Sequence, residues 1–414
     1  MTLIIFNGFE IKFYKYINMR THFKFYLILA FAVTFMSTNA QEKSGYTFND
    51  KIDIEVTSVK DQHRSGTCWS FASISFLEAE LLRETGKEYD LSEMYLVRNC
   101  YIEKADRYVR MHGKTNFGGG GLAHDLLMVW ERYGLVTEDA YPGLVIGEDG
   151  HVHGEMDGQL RAFVESLIKN RNRKLTPVWD DAFKGILDAY MGPRPTTFNV
   201  DGQSYTPREF ADNLPLTPGD YVTIGSFTHQ PYYEPFILEI PDNWDWNTIE
   251  NVQLDEMMNV LDNALEDGYT VCWDADVSEK GFKWGSGISL IPEQDIESLD
   301  NLEQAKWSEL SDNEKQAMLY DFSKPRKEQV ITPEIRQKWF DNYITTDDHL
   351  MLITGTAVDQ NGNKFYKVKN SWGVGNHIYD GYFYCSEAYM RAKTIFFMVN
   401  KDAVPKPLSK KLGL

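Results

Sequence analysis

The chain has 414 residues, of which 43% are hydrophobic and 25% charged, and its formal net charge at pH 7 is −19. This is the composition of a globular protein, and the length is enough for about two to three domains. Such an acidic chain repels phosphate backbones, so its charge excludes nucleic acid as an expected partner.

Residues 1–40 predict an export signal. Arg20 and Lys24 precede the apolar run "FYLILAFAVTFM", and small residues then end at Ala40, which is the expected cleavage position. We expect translation to begin at Met19. The apolar run is short for a membrane span, so the prediction is an exported, periplasmic or secreted protein without stable membrane insertion. The alternatives are an N-terminal anchor or a hydrophobic strand.

The first part of the mature chain, residues 41–147, is predicted to be a helical lobe. The stretch "CWSFASISFLEAELLRETG" from Cys68 to Gly86 has helical apolar spacing and a glycine placed to end the helix. "LSEMYLVRNC" predicts a second helix capped by Ser92. "FGGGGLAHDLLMVWERYG" predicts a glycine turn followed by a third helix that ends at Gly134.

Residues 148–340 are predicted to be an inserted and connecting segment. They mix amphipathic helices such as "LDEMMNVLDNALEDG" with the buried strand "YTVCWDA". Early in this segment, His151 and His153 stand beside Glu155. A metal contact is one interpretation of that stretch, and a solvated loop is the favoured one.

The last part, residues 341–414, is predicted to be a β lobe with a short C-terminal tail. "HLMLITGTAV", "DQNGN" and "KFYKVKNSW" spell strand, turn and strand, with Asn-Gly as the hairpin signal. "GYFYCS" and "TIFFMVN" predict two further strands. The tail after Pro405 is "KPLSKKLGL".

Four cysteines are candidates for chemistry, and their spacing does not suggest zinc. We therefore expect no metal and no cofactor. An exported chain could form two disulfides, but a chain of this length needs none for stability. The disulfide status of three of the cysteines stays open: Cys100, Cys272 and Cys385.

Cys68 is the candidate nucleophile. A thiol attacks an amide as the thiolate, so the fold is expected to lower its pKa through a helix N-terminus and a nearby imidazolium. Cys68 begins the first predicted helix, and Gly66 allows a sharp turn into it. Gln62 is then placed so that its side-chain amide and the backbone N–H of Cys68 form the two donors of an oxyanion hole. The alternative is a buried, inert cysteine.

His349 and Asn370 are the candidate partners of Cys68. A hairpin that turns at Asn361-Gly362 brings both residues to its open end, where Asn370 can orient the imidazole. Trp372 follows closely and is expected to shield that hydrogen bond from water. The alternatives are a structural histidine and a simple turn at "NSWG".

Together, Gln62, "SGTCWSF", "LSE", "HLM" and "KNSWG" resemble the papain-like cysteine peptidases. The long segment between Cys68 and His349 is similar to the bleomycin hydrolase and aminopeptidase C branch. The resemblance implies an α+β, two-lobed fold with a helical N-terminal lobe and an antiparallel, β-barrel-like C-terminal lobe. It makes Cys68 the nucleophile, His349 the general base and acid, Asn370 the orienting residue and Gln62 the oxyanion donor.

The resemblance also implies a substrate site and a specificity. Gly120 and Gly121 match the glycine pair whose backbone holds extended substrate, and Trp372 belongs to the same site. The implied function is an aminopeptidase acting on peptides, often as a hexamer, with a C-terminal arm in the cleft. The alternatives are an endopeptidase without that arm, an inactive binding homologue, or a thiol acyltransferase.

Overall fold

The computed structural model describes residues 44–172, 174–294, 301–307 and 309–414. The predicted export signal lies outside these residues. Among the described helices, none has the length and the apolar character needed to cross a membrane.

The three predicted helices of the first part are confirmed. They are α1 (Cys68–Thr85), α2 (Glu93–Arg110) and α3 (His124–Tyr133). Gly86 ends α1 with φ 67°, a left-handed conformation that favours glycine. The side chain of Ser92 caps α2 by accepting a hydrogen bond from the N–H of Tyr95. Local capping signals therefore fix the ends of these helices.

The later helices lie mostly in the middle segment, and one is formed by the tail. They are α4 (Gly154–Ile168), α5 (Val178–Met191), α6 (Pro207–Asp212), α7 (Leu254–Glu266), α8 (Asn301–Trp307), α9 (Asp312–Leu319), α10 (Pro333–Asp341), α11 (Glu387–Lys393) and α12 (Lys406–Leu412). The apolar spacing of the sequence predicted α7, whereas the helix of the tail was not predicted.

Strands from all three parts of the chain join one large sheet. The strands are β1 (Phe48–Asp53), β2 (Phe198–Val200), β3 (Gln203–Tyr205), β4 (Tyr221–Gly225), β5 (Pro235–Ile237), β6 (Thr248–Asn251), β7 (Val271–Ala275), β8 (Phe282–Lys283), β9 (Ile288–Ser289), β10 (His349–Asp359), β11 (Lys364–Lys369), β12 (Tyr382–Ser386) and β13 (Thr394–Asn400). The main path runs β5-β6-β4-β13-β7-β10-β11-β12-β9-β8, with β1 paired to β10, and β2-β3 form a separate hairpin.

This sheet differs from the expected antiparallel barrel. Within the described residues the strand path is open at both ends, and β4-β6 and β9-β12 are parallel pairs. The reason lies in the middle segment, because its strands extend both edges of the sheet that the C-terminal strands begin. The α+β class holds, whereas a closed, barrel-like lobe does not form.

The two faces of the sheet carry different layers. Leu350 on β10 and Phe396 on β13 pack with α1 and the other N-terminal helices. The next residue on each strand, Met351 and Phe397, packs on the other side with α7 and with Leu408 of α12. Because side chains alternate along a strand, α1 and the C-terminal helix lie on opposite faces.

The stretch around His151 is only partly exposed to solvent. The N–H of Arg64 donates to the carbonyl of His151 at 2.9 Å, and the N–H of His153 donates to the carbonyl of Arg64 at 3.3 Å. His153 is buried. The favoured interpretation of a solvated loop is therefore wrong for His153, because this stretch pairs with the turn that leads to Cys68, whereas Glu155 is exposed as that interpretation expects.

Candidate active site

Cys68 is the first residue of α1 and is the accessible cysteine of the described chain. Gly66 makes the turn before it with φ 66°. All four cysteines are free, and Cys68 is partly exposed whereas the other three are buried. Because the first N–H groups of a helix have no acceptor within it, the start of α1 presents backbone donors beside the thiol.

His349 and Asn370 meet at the open end of the β10–β11 hairpin. Gly362 turns this hairpin with φ 84°, and the ring nitrogen Nε2 of His349 lies 2.7 Å from Oδ1 of Asn370. The same Oδ1 accepts the N–H of Ser371 at 2.7 Å, which identifies it as the amide oxygen. Nε2 of His349 must then donate, so Nδ1 is the ring nitrogen free to accept a proton.

Gln62 is tied to the other side of this site by Ser371. The hydroxyl of Ser371 donates to Oε1 of Gln62 at 2.7 Å, and the N–H of Gln62 donates to the carbonyl of Ser371 at 2.8 Å. With Oε1 occupied, Nε2 of Gln62 is the group left to donate. Ser371 was not predicted from the sequence, although its place inside "NSWG" was the available signal.

Trp372 covers His349. The two rings are 4.8 Å apart at an interplanar angle of 31°, and Trp372 remains 36% exposed. Trp284 packs edge-on against Trp372, with ring centroids 5.1 Å apart. Trp372 therefore lies between the imidazole and water, which is the position expected of a side chain that shields the His349–Asn370 bond.

The glycine turn before α3 lies beside Cys68, but its two predicted residues differ in access. The indole N–H of Trp69 donates to the carbonyl of Gly119 at 2.8 Å, which anchors the turn next to the thiol. Gly120 is partly exposed, whereas Gly121 is buried. A Cβ on Gly121 would lie 2.9 Å from Trp69, so close packing explains that glycine without a substrate contact. The substrate role of both glycines stays a prediction.

The protein surroundings shift the Cys68 and His349 pKa values opposite to the expected direction. Burial raises the pKa of Cys68 to about 12, the N–H of Leu350 opposes this, and the nearby carboxylates of Asp274 and Asp347 add to it. Burial also lowers the pKa of His349 to about 4. The expectation of a lowered thiol pKa is therefore not met, because desolvation and acidic neighbours favour the neutral thiol and the neutral imidazole.

A second polar cluster lies beside the glycine turn. His124, Asp125 and Asp245 are the one group of the described residues whose donor atoms have the spacing of a metal site, all within 4.8 Å. Oδ2 of Asp125 already accepts the indole N–H of Trp244 at 3.0 Å and the N–H of Leu122 at 3.2 Å. We assign the cluster a structural role in holding the turn.

The arrangement around Cys68 is suited to acyl transfer. It combines a thiol at a helix start, an oriented imidazole with one accepting nitrogen, and the amide of Gln62 on the turn that leads to the thiol. Residues 47–171 match the papain family cysteine protease model, and residues 340–413 match the Peptidase C1-like family. Both matches contain candidate catalytic residues.

Relatives similar over most of the chain agree with these matches. Aminopeptidase C of Lactobacillus helveticus is 23% identical over 90% of this chain and 86% of its own length. Aminopeptidase C of Listeria monocytogenes is 24% identical over 86% of this chain and 83% of its own. The crystal structure of PepW from Lactobacillus rhamnosis covers 100% of this chain and 96% of its own, with a TM-score of 0.64 and 19% identity. This last likeness concerns the fold alone.

Proposed function

The chain belongs to the papain-like cysteine peptidases of the bleomycin hydrolase and aminopeptidase C branch, and we propose from this premise that it is a cysteine aminopeptidase. The observation that carries the proposal is the 2.7 Å bond between His349 and Asn370 at the strand end next to Cys68. The aminopeptidase character rests on the relatives named aminopeptidase C.

The proposed mechanism begins with a neutral pair. As Sγ of Cys68 attacks the carbonyl carbon of a peptide, its proton moves to Nδ1 of His349, and Asn370 holds the imidazolium that forms. The negative oxygen of the tetrahedral intermediate is bound by Nε2 of Gln62 and the N–H of Cys68. His349 then gives the proton to the leaving amine, and water hydrolyses the thioester with His349 as base.

Two of the alternatives differ in testable ways. A thiol acyltransferase commonly orients its histidine with aspartate, and Asn370 therefore favours the peptidase. An endopeptidase would cleave peptides whose amino end is blocked, whereas an aminopeptidase requires the free amine.

The test compares the wild type with Cys68→Ala on leucyl-aminomethylcoumarin and its acetylated form. We expect the wild type to hydrolyse the free form and Cys68→Ala to be inactive yet folded, because replacing a thiol by a hydrogen on this Cβ changes little packing. Iodoacetamide should label Cys68 in step with the loss of activity. Equal hydrolysis by the two proteins would overturn the assignment of Cys68 as the nucleophile.

Three further proposals come from the sequence and its resemblance. We propose that the chain is exported and cleaved after Ala40, which N-terminal sequencing of the exported protein tests. We propose a hexamer, which light scattering of the purified protein tests. The division into lobes at residues 147 and 340 is tested by limited proteolysis.

A further inference from the structure

Asp274 is a buried carboxyl group without an ordinary donor. It is 0% exposed, and no backbone N–H, hydroxyl, amide or basic side chain among the described residues donates to either of its oxygens. Within the sheet it lies opposite Leu350 on β10 and Phe396 on β13, on the face that packs against α1. When ionised, this carboxyl group raises the pKa of the Cys68 thiol. A buried, unpaired carboxylate is costly to maintain, so its place beside the nucleophile needs a reason.

Two more carboxylates converge on the same point from other segments. Asp347 lies two residues before His349, is partly exposed, and is within hydrogen-bonding range of Asp274. Asp242, in the loop between β5 and β6, accepts the side-chain N–H of Asn116 at 2.9 Å and lies against Gly120. Both of these carboxylates also act on the Cys68 thiol.

In the described part of the chain, no Lys, Arg or His forms an ion pair with Asp274 or Asp347. Two carboxylates can share a hydrogen bond only when one keeps a proton. Burial and the carboxylates of Asp242 and Asp348 raise the pKa of Asp347 to about 7, although its hydrogen bond with Asp274 opposes this rise. Burial and Asp347 raise the pKa of Asp274 well above its usual range. The adjacent Asp348 is satisfied, since it accepts the N–H groups of Val277 and Ser278 at 3.1 and 2.9 Å.

The chain end does not supply a charge at this point. Leu408 is buried on the opposite face of the sheet, among the residues that pack with α7. Lys411 holds the same helix there through an ion pair with Glu256 at 2.7 Å. The C-terminal arm that the resemblance implies in the cleft is therefore not beside Cys68 in this structure.

We propose that Asp274 and Asp347 form an ammonium-binding subsite, which takes the free α-amino group of the peptide that Cys68 cleaves. This inference rests on the proposed function. In a substrate cut after its first residue, the ammonium nitrogen is two covalent bonds from the attacked carbonyl carbon, so it lies within about 3 Å of that carbon. Only groups close to the thiol can reach it, and Asp274 and Asp347 are such groups, since both act on the Cys68 thiol.

An ammonium group that binds at this subsite replaces the proton that Asp274 and Asp347 share. The ammonium donates N–H bonds to both carboxylates and brings the positive charge they lack, and the proton that Asp274 and Asp347 share leaves to solvent. The bound cation also offsets the negative charges that raise the pKa of Cys68. A lysine side chain one residue earlier in a blocked peptide is the other source of an ammonium group.

The experiment measures kcat/KM of the full chain and of Asp347→Asn and Asp274→Asn on three substrates. They are leucyl-, acetyl-leucyl- and acetyl-lysyl-leucyl-aminomethylcoumarin. Because a hydrogen bond to a charged group is worth about 10- to 150-fold, we expect the ratio of kcat/KM for the free amine to that for acetyl-leucine to fall at least about tenfold in each variant. Any effect of either substitution on the Cys68 thiol acts on both substrates and cancels in this ratio. Asp181→Asn, an exposed residue on α5, gives the same charge change and should leave the ratio of free to acetylated substrate unchanged.

The outcomes separate the subsite from the proposed function. A wild type that cleaves no substrate overturns both. Variants that keep the wild-type ratio overturn the subsite and leave the peptidase intact. A loss confined to the lysyl substrate overturns the α-amino assignment in favour of a side-chain ammonium. Asp347 is partly exposed, so its variant is informative even where Asp274→Asn fails to fold.

Discussion

Ser371 links the two amide side chains of the candidate site. Its hydroxyl donates to Gln62, and its backbone N–H donates to Asn370, each at 2.7 Å. These bonds decide which end of each amide faces its partner. The serine is therefore a positioning residue, since it acts on the chemistry through Gln62 and Asn370.

Ser371→Ala should lower kcat by about tenfold and leave KM nearly unchanged, because Gln62 loses the bond that turns its N–H groups to the oxyanion. A double-mutant cycle with Gln62→Ala separates this role from a structural one. The double variant should be no slower than Gln62→Ala alone. Losses that simply multiply would show that Ser371 does not act through Gln62.

Asp347 provides a pH test of the ammonium subsite. Its raised pKa of about 7 means that its carboxyl is neutral below that pH and ionised above it. Three carboxyl groups face Asp347. Those of Asp242 and Asp348 raise its pKa, and that of Asp274 shares a proton with it. Cation binding should therefore strengthen as pH rises through about 7 and fade as the substrate amine, with a pKa of about 8, loses its proton.

The measured quantity is the ratio of kcat/KM for the free and acetylated leucyl substrates between about pH 5 and pH 10. Titration of Cys68 and His349 affects both substrates and cancels in this ratio. In the wild type, we expect the plot of this ratio against pH to be bell-shaped. In Asp347→Asn, we expect the rise on the acid side of that plot to disappear. A flat ratio in the wild type would contradict the role of Asp347.

At the scale of elements, the turn into α1 and the β10–β11 hairpin position the chemistry. Gly66 precedes Cys68 with φ 66°, and Gly362 turns the hairpin with φ 84°. The left-handed region is costly for residues with a Cβ. Each glycine thus permits a change of direction, and the catalytic side chains stand on the rigid elements that follow or precede the turn.

Gly66→Ala should destabilise the protein by about 1–2 kcal/mol, because alanine is strained at this φ although no atom lies within 4 Å of its Cβ. Gly185→Ala is the matched control, since it is also exposed and uncrowded but sits inside α5. That control should be neutral or stabilise by about 0.5–1 kcal/mol. Thermal melts measure both, and equal melting temperatures would exclude backbone strain at residue 66.

At the scale of the whole molecule, the sheet separates the candidate site from the chain end. Cys68 begins a helix on one face, and α12 packs on the other. The specificity of the enzyme and the docking of its last helix should therefore be independent. This separation distinguishes the Asp274–Asp347 subsite from gating by a C-terminal arm.

Deleting residues 406–414 should lower the melting temperature and leave the ratio of free to acetylated substrate unchanged. Leu408→Ala reproduces the loss of packing alone, since Leu408 is 4% exposed, and should cost about 2–5 kcal/mol. Lys410→Ala, exposed on the same helix, is the control and should stay within about 0.5 kcal/mol. A truncated enzyme that gains activity on blocked peptides would place the tail in the cleft.

The sequence by itself determined the elements whose signals are local. Ser92, Gly86 and the Asn361-Gly362 pair act on neighbouring backbone, so helix ends and the hairpin could be predicted residue by residue. The meeting of His349 with Asn370 followed as well, because a hairpin's turn sets which residues face each other at its open end.

Only the tertiary structure decided the rest. Ser371 meets Gln62, and Asp274 meets Asp347, across chain separations that no local signal spans. The direction of the Cys68 pKa shift depended on these distant carboxylates and on burial, and so it could not be predicted from the helix start alone. The open sheet and the position of α12 likewise depend on packing between remote segments, which is decided by the apolar surface that the whole chain can bury.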